Sequence, residues 1–165
     1  MLIVSNTSPI LNLAIIEHLD LIKQQFIQVI IPPGVLGELK VNEDRPGSLA
    51  LRNAVSEGWI KIQPLTQSQT VVQLLRQTLD QGESEAIALA LEQQADYILL
   101  DERDGRKVAK SLGLNVTGVL GVLLKAKQSG AISQLKPLLE DLIQVAGFRI
   151  SPVLLAQLLA MDVQK

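Results

Sequence analysis

Short apolar runs alternate with longer mixed stretches along this chain, and the runs set the framework. Leu2-Ile3-Val4, Val29-Ile30-Ile31, Trp59-Ile60-Lys61-Ile62, Tyr97-Ile98-Leu99-Leu100 and Asn115-Val116-Thr117 each read as a strand. Most are continuous Val/Ile/Leu runs without polar alternation, the pattern of a parallel sheet covered on both faces. Between them lie helical stretches. Ser8-Pro9 reads as an N-cap with proline at the first helical position, opening a helix through Ile10, Leu13 and Ala14. Pro32-Pro33 opens another that holds Val35, Leu36, Glu38 and Leu39. Further helices are predicted near Ser48–Ser56, Gln67–Leu79, Glu83–Gln93, after Asp101, at Val119–Lys127, Ile132–Val145 and Pro152–Met161. Asn42-Glu43-Asp44-Arg45-Pro46-Gly47 is a loop by composition. Strands alternating with helices predict one three-layer α/β/α domain, with a mostly parallel sheet of about five short strands and a helical C-terminal extension.

Composition narrows the chemistry. A chain of 165 residues with 47% apolar side chains is one ordinary domain with a sizeable core. It has no cysteine and a single histidine, His18, so thiolate metal sites, disulfides, thiol nucleophiles and His-rich zinc sites are excluded. Carboxylates, amides, hydroxyls and Lys/Arg remain, and the metals that suit carboxylate oxygen are Mg²⁺, Mn²⁺ and Ca²⁺. The balance of 17 acids against 15 bases gives −2, so any grip on nucleic acid must come from a local patch. Aromatics are only 2%, which excludes an extended base-stacking platform. No basic leader and no apolar run near the ~20 residues of a membrane span is present, so an intracellular, cytoplasmic protein is expected.

In open α/β sheets the ligand site lies beyond the carboxyl ends of the strands, where the strand order reverses. The residues just past the predicted strands are therefore informative: Asn6 after the first, Asp101 after the fourth, Thr117 at the end of the fifth. Glu83 and Glu85 open a helix whose next six residues, Ala86 to Leu91, are apolar. Two carboxylates ~4 Å apart repel by roughly 4 kcal/mol at an effective dielectric of 20, so a cluster of acids needs a cation or shared protons. A divalent cation would relieve that repulsion and activate water for attack on a phosphodiester. No P-loop, dinucleotide-binding glycine pattern or nucleophile elbow competes with this reading.

Four motifs in order also carry a family resemblance. Val4-Ser5-Asn6-Thr7-Ser8-Pro9, the Pro33–Leu39 helix with Glu38, Gly82-Glu83-Ser84-Glu85-Ala86-Ile87 and Leu99-Leu100-Asp101-Glu102-Arg103 resemble the PIN-domain nucleases, and a prokaryotic branch of them in particular. The likeness extends to the closing Gly147-Phe148-Arg149-Ile150-Ser151-Pro152. It implies a PIN-like domain over residues 1–146, with residues 147–165 packed on that domain or on a dimer partner. It further implies a Mg²⁺- or Mn²⁺-dependent endoribonuclease, often the toxin of a toxin–antitoxin pair, with RNA, an antitoxin protein and a second copy as partners and no membrane. Carried over by position, Glu38, Glu85 and Asp101 are the metal-binding acids, with Asn6 as a further catalytic position. Glu83, Glu102 and Asp104 are substitutes, and Thr117 lines the site. The departure is Asn6, where the family pattern has an aspartate; the resemblance equally accommodates a catalytically silent module that binds nucleic acid or protein.

Each candidate has a plainer reading. Asp101 suits the cap of the following helix, Asp104 and the two glutamates suit helix first turns, Asn6 suits a turn, and Thr117 suits a cap. Arg103, Arg106, Lys107 and Lys110 read either as a solvated face or as a phosphate-backbone grip beside Asp101.

Overall fold

A computed structural model describes residues 1–163. In chain order the elements are β1 (Leu2–Ser5), α1 (Thr7–Ile15), α2 (Asp20–Phe26), β2 (Gln28–Ile31), α3 (Pro33–Leu39), α4 (Ser48–Glu57) and β3 (Ile60–Ile62). There follow α5 (Gln69–Leu75), α6 (Gln81–Glu92), β4 (Tyr97–Leu99), α7 (Arg103–Ser111), β5 (Val116–Thr117), α8 (Val119–Ser129), α9 (Lys136–Gln144) and α10 (Pro152–Val163).

The five strands form one sheet in the order β3-β2-β1-β4-β5, and every pairing is parallel. Successive strand residues face opposite sides of a sheet. Ile3 and Val4, Ile30 and Ile31, and Ile98 and Leu99 are all buried, so helices cover both faces as the continuous apolar runs require. Lys61 is exposed in the short edge strand β3, the polar break that an edge position tolerates.

The chain steps outward from β1 to β3, then returns to lay β4 against the other side of β1. The order therefore reverses between β1 and β4, and Asn6 and Asp101 follow their carboxyl ends. The second of the two helices between β3 and β4, α6, is buried on nearly all sides, with Ala86 through Ala90 inaccessible. Its first turn comes to the carboxyl edge of the sheet because the chain runs back along it to enter β4 from the opposite edge.

Several local expectations are corrected. The first helix starts at Thr7, with Asn6 in the N-cap position, so Pro9 lies two residues inside its start. Extended Asn6 dihedrals (φ −78°, ψ 176°) fit an N-cap without help from the proline. The predicted Gln67–Leu79 and Ile132–Val145 helices shorten to α5 and α9: Thr66, Gln67 and Ser68 instead donate to the Glu92 carboxylate, and Leu135 and Lys136 donate their N–H groups to Asp162. The latter bonds, at 2.6 and 3.1 Å, tie α10 to the start of α9, while Leu158 of α10 is only 2% exposed in the core.

Candidate active site

Asn6 donates its backbone N–H to Leu99 O at 3.0 Å, which continues the β1–β4 ladder one step beyond the strands. Its side chain makes no capping bond, although asparagine at this position is well suited to one. The residue is 4% exposed, and its Oδ1 has no hydrogen-bond partner within the protein. A buried amide oxygen without a donor costs on the order of 1–3 kcal/mol, so a turn-stabilising role does not account for it.

Asp101 is fixed from two sides. Oδ1 accepts the Val119 N–H at 2.8 Å, at the start of α8, and Oδ2 accepts the Ser8 hydroxyl at 2.8 Å, in the first turn of α1. Asn12 Nδ2 donates to Ser8 Oγ at 3.0 Å and holds that hydroxyl in place. The aspartate thus caps not the helix that follows it but the one after; the N-cap of α7 is Glu102, whose side chain makes no capping bond. Burial pushes the Asp101 carboxyl above the ordinary aspartate value, with the Glu102 charge adding to the rise. The Val119 and Ser8 bonds and the Arg106 charge oppose it.

The glutamates separate by helical geometry. Residues two apart on a helix point about 200° apart, and Glu83 and Glu85 go to different neighbours. Glu83 is 6% exposed and completes a capping box: its N–H bonds Asp80 Oδ1 at 2.8 Å, and its Oε1 faces the Asp80 N–H. Its Oε2 is buried without a partner, lying against Gly105 in the first turn of α7. Burial, the Asp80 charge and, less strongly, Glu102 raise its pKa from 4.5 to about 7. Glu85 instead accepts the Gly34 N–H at 3.1 Å and the Gln81 side-chain amide. Glu38 returns the exchange, accepting the Gly82 N–H at 3.2 Å and the Thr7 hydroxyl. So α3 and α6 trade carboxylates, and Glu38 reaches the residue next to Asn6 while Glu85 turns to the start of α3.

The remaining predicted residues flank this core. Glu102 and Asp104 are exposed around the start of α7. Thr117 lies over Gly121 and makes no cap for α8. Arg103, Arg106, Lys107 and Lys110 fall at i, i+3, i+4 and i+7 on α7, a single stripe that lines a shallow cleft ending at Asp101. Among the described residues none of the four stands within ion-pair distance of a carboxylate.

Oxygen ligands are what a hard divalent cation takes, and the unpartnered Asn6 Oδ1 and Glu83 Oε2 at this edge fit one in donor chemistry. The charge of the exposed Glu102 is felt by both Asp101 and Glu83. Among the described residues, no three carboxylate or imidazole groups stand close enough to share an ion.

Sequence reasoning missed Ser8 and Asp80 as positioning residues, and it missed the glycines. Gly34, Gly82, Gly105 and Gly118 each lie against the carboxylate of Glu85, Glu38, Glu83 and Asp101 respectively, where a Cβ would collide. The available signal was glycine in first turns or N-cap positions next to apolar helices, where other residues cost less.

A family model described as a PIN domain matches residues 2–162 of the chain. The chain belongs to the PIN-domain family, and its fold is of the nuclease type that name denotes; such domains commonly bind nucleic acid and generally use divalent metal ions. A PilT N-terminus domain protein from the hyperthermophilic archaeon Sulfolobus solfataricus P2 has a similar structure, with a TM-score of 0.55 and 20% identity over 76% of this chain and 93% of that one. That likeness is one of fold. No curated protein matches the sequence. Among the described residues no helix is long and apolar enough to cross a membrane.

Proposed function

We propose that the chain is a divalent-metal-dependent ribonuclease that hydrolyses phosphodiester bonds at the β1–β4 crevice. The observation that carries this reading is the pair of buried, unpartnered oxygens, Asn6 Oδ1 and Glu83 Oε2, at the switch point of a PIN fold. Mg²⁺ or Mn²⁺ would be held there by Asp101, Glu83 and Asn6, with Glu38 beside Thr7 completing the acidic wall. When bound, such an ion neutralises charge on the phosphate and lowers the pKa of a water. Carboxylates already bonded to one donor per oxygen retain lone pairs for a cation. Ser8 and the Val119 N–H fix the Asp101 carboxylate, so little reorganisation accompanies binding. Glu85, bonded to Gly34, serves in this reading to set α3 against α6, and Glu38 with it. The α7 stripe holds the RNA backbone, and Glu102, Asp104 and Thr117 line the approach.

We extend the reading, on the family resemblance, to a cytoplasmic toxin countered by an antitoxin protein. In it residues 1–146 form the nuclease unit, and residues 147–165 an extension available to a second copy. A catalytically silent module that binds nucleic acid is favoured by two facts: Asn6 stands where an acid is expected, and no three acids converge among the described residues. Cleavage of a generic RNA in Mn²⁺ decides between them. Cleavage by the wild type that is lost in Asp101→Asn supports the enzyme; binding without cleavage, in both the wild type and Asn6→Asp, supports the silent module.

A further inference from the structure

The Gly147-Phe148-Arg149 turn between α9 and α10 has no part in the chemistry proposed above, yet it lines clefts that also reach Asp101. Phe148 N donates to Leu142 O at 2.8 Å, and Gly147 takes a left-handed φ of +73°, so the turn is bent back and pinned. Two clefts of about 380 Å³ each flank it, and Phe148, Arg149 and Asp101 line both. Arg106 stands in one cleft and Arg103 in the other. Arg106 donates one Nη1 bond to Leu100 O at 2.7 Å, which leaves the rest of its guanidinium free. Among the described residues Arg103, Arg106 and Arg149 have no carboxylate within ion-pair distance. Phe148 is half-buried, with part of its ring packed on the core and the rest lining the clefts. A partly exposed ring that shares clefts the size of a nucleotide with three cations matches one ligand chemistry: an aromatic base with a phosphate on either side.

We propose that Phe148 and Arg149 form a nucleotide subsite beside Asp101, in which one unpaired base of single-stranded RNA stacks on the Phe148 ring. The phosphates flanking that base lie between Arg149 and the α7 arginines. The inference rests on the ribonuclease reading for its ligand, but not on metal or cleavage. A single aromatic at this position also resolves the composition: a chain with 2% aromatics cannot build a stacking platform, but one ring at the site suffices to seat one base.

The test is equilibrium binding in EDTA, where no cleavage occurs, of a fluorescent six-nucleotide single-stranded RNA and of an abasic oligomer of the same length and charge. Phe148→Ala is expected to weaken RNA binding about tenfold while leaving the abasic oligomer nearly unaffected, and Phe148→Tyr to restore RNA binding. Arg149→Gln should weaken both ligands. Equal losses on both ligands for Phe148→Ala, or no loss on either, overturn the subsite. Thermal unfolding of each variant identifies misfolding, and Phe148→Tyr keeps the question open to refutation if the alanine variant fails to fold. Base-dependent binding without any cleavage in Mn²⁺ keeps the subsite and removes the nuclease; cleavage with kcat/KM unchanged in Phe148→Ala and Arg149→Gln does the reverse.

Discussion

The Glu83 carboxylate rests on Gly105 of the next helix, and a Cβ there would stand 2.5 Å from Oε2. Replacing a helical glycine by alanine ordinarily stabilises by about 1 kcal/mol, but here the methyl group must displace the carboxylate from its buried position. Gly105→Ala is therefore expected to gain less than that helix value and to release Glu83 toward water. Carboxyl ¹³C NMR would report it as a fall from about 7 in the wild type toward the ordinary glutamate range. An unmoved titration in the variant would show that Gly105 does not confine the acid.

The same acid makes stability depend on pH with a definite sign. Burial and the Asp80 and Glu102 charges raise Glu83 from 4.5 to about 7, so the folded protein takes up a proton that the unfolded chain releases. Its contribution is complete below about pH 4.5 and is lost as pH rises through about 7. Glu83→Gln, which keeps the capping box chemistry, should match the wild type near pH 4.5 and exceed it at pH 8 by on the order of 1 kcal/mol, a value reduced by partial solvation. Urea unfolding across that range measures the gap; a gap that is constant with pH would contradict the assignment.

Most of the fold was legible because each strand is a local apolar run and each long helix has its own periodicity. The site was legible only where a residue comes just past a strand end, as Asn6 and Asp101 do. Which neighbours Glu83 and Glu85 each meet was not readable from spacing, since the rotation of α6 is set by packing against α5, α3, β1 and β4. Asp101 reads locally as a cap for α7, and its actual partners, Ser8 and Val119, lie 93 and 18 positions away. The glycines show in the sequence only as helix-start residues; the reason for them does not, because what each one avoids is a carboxylate from another part of the chain.

The α7 stripe predicts a salt-dependent grip. Lys107 and Lys110 are exposed, share one face and have no acidic partner among the described residues, so their charges are available to phosphate. The Lys107→Glu, Lys110→Glu double variant should weaken RNA binding and reduce the slope of log K against log salt by about 2 or more, roughly one per lost phosphate contact. Fluorescence anisotropy over a salt series reads both quantities. A slope equal to that of the wild type would return the stripe to an ordinary solvated face.

Asn6→Asp probes the proposed cation site directly, because it changes one charge at an oxygen that has no partner within the protein. Asn6 is 4% exposed at the same sheet edge as Asp101, whose carboxyl burial already raises in pKa. A second buried carboxylate there has no protein donor waiting, and in EDTA the variant should be less stable than the wild type by about 1–3 kcal/mol. A divalent ion reverses the sign of that added charge from cost to ligand. Saturation to about 100 times its dissociation constant stabilises a folded protein by about 2.7 kcal/mol, so millimolar Mn²⁺ should raise the Tm of Asn6→Asp more than that of the wild type and close the gap. Asp101→Asn should abolish the Mn²⁺ response in both backgrounds. If Mn²⁺ shifts none of these proteins, the unpartnered oxygens of Asn6 and Glu83 are not a cation site, and the metal-dependent reading falls with them.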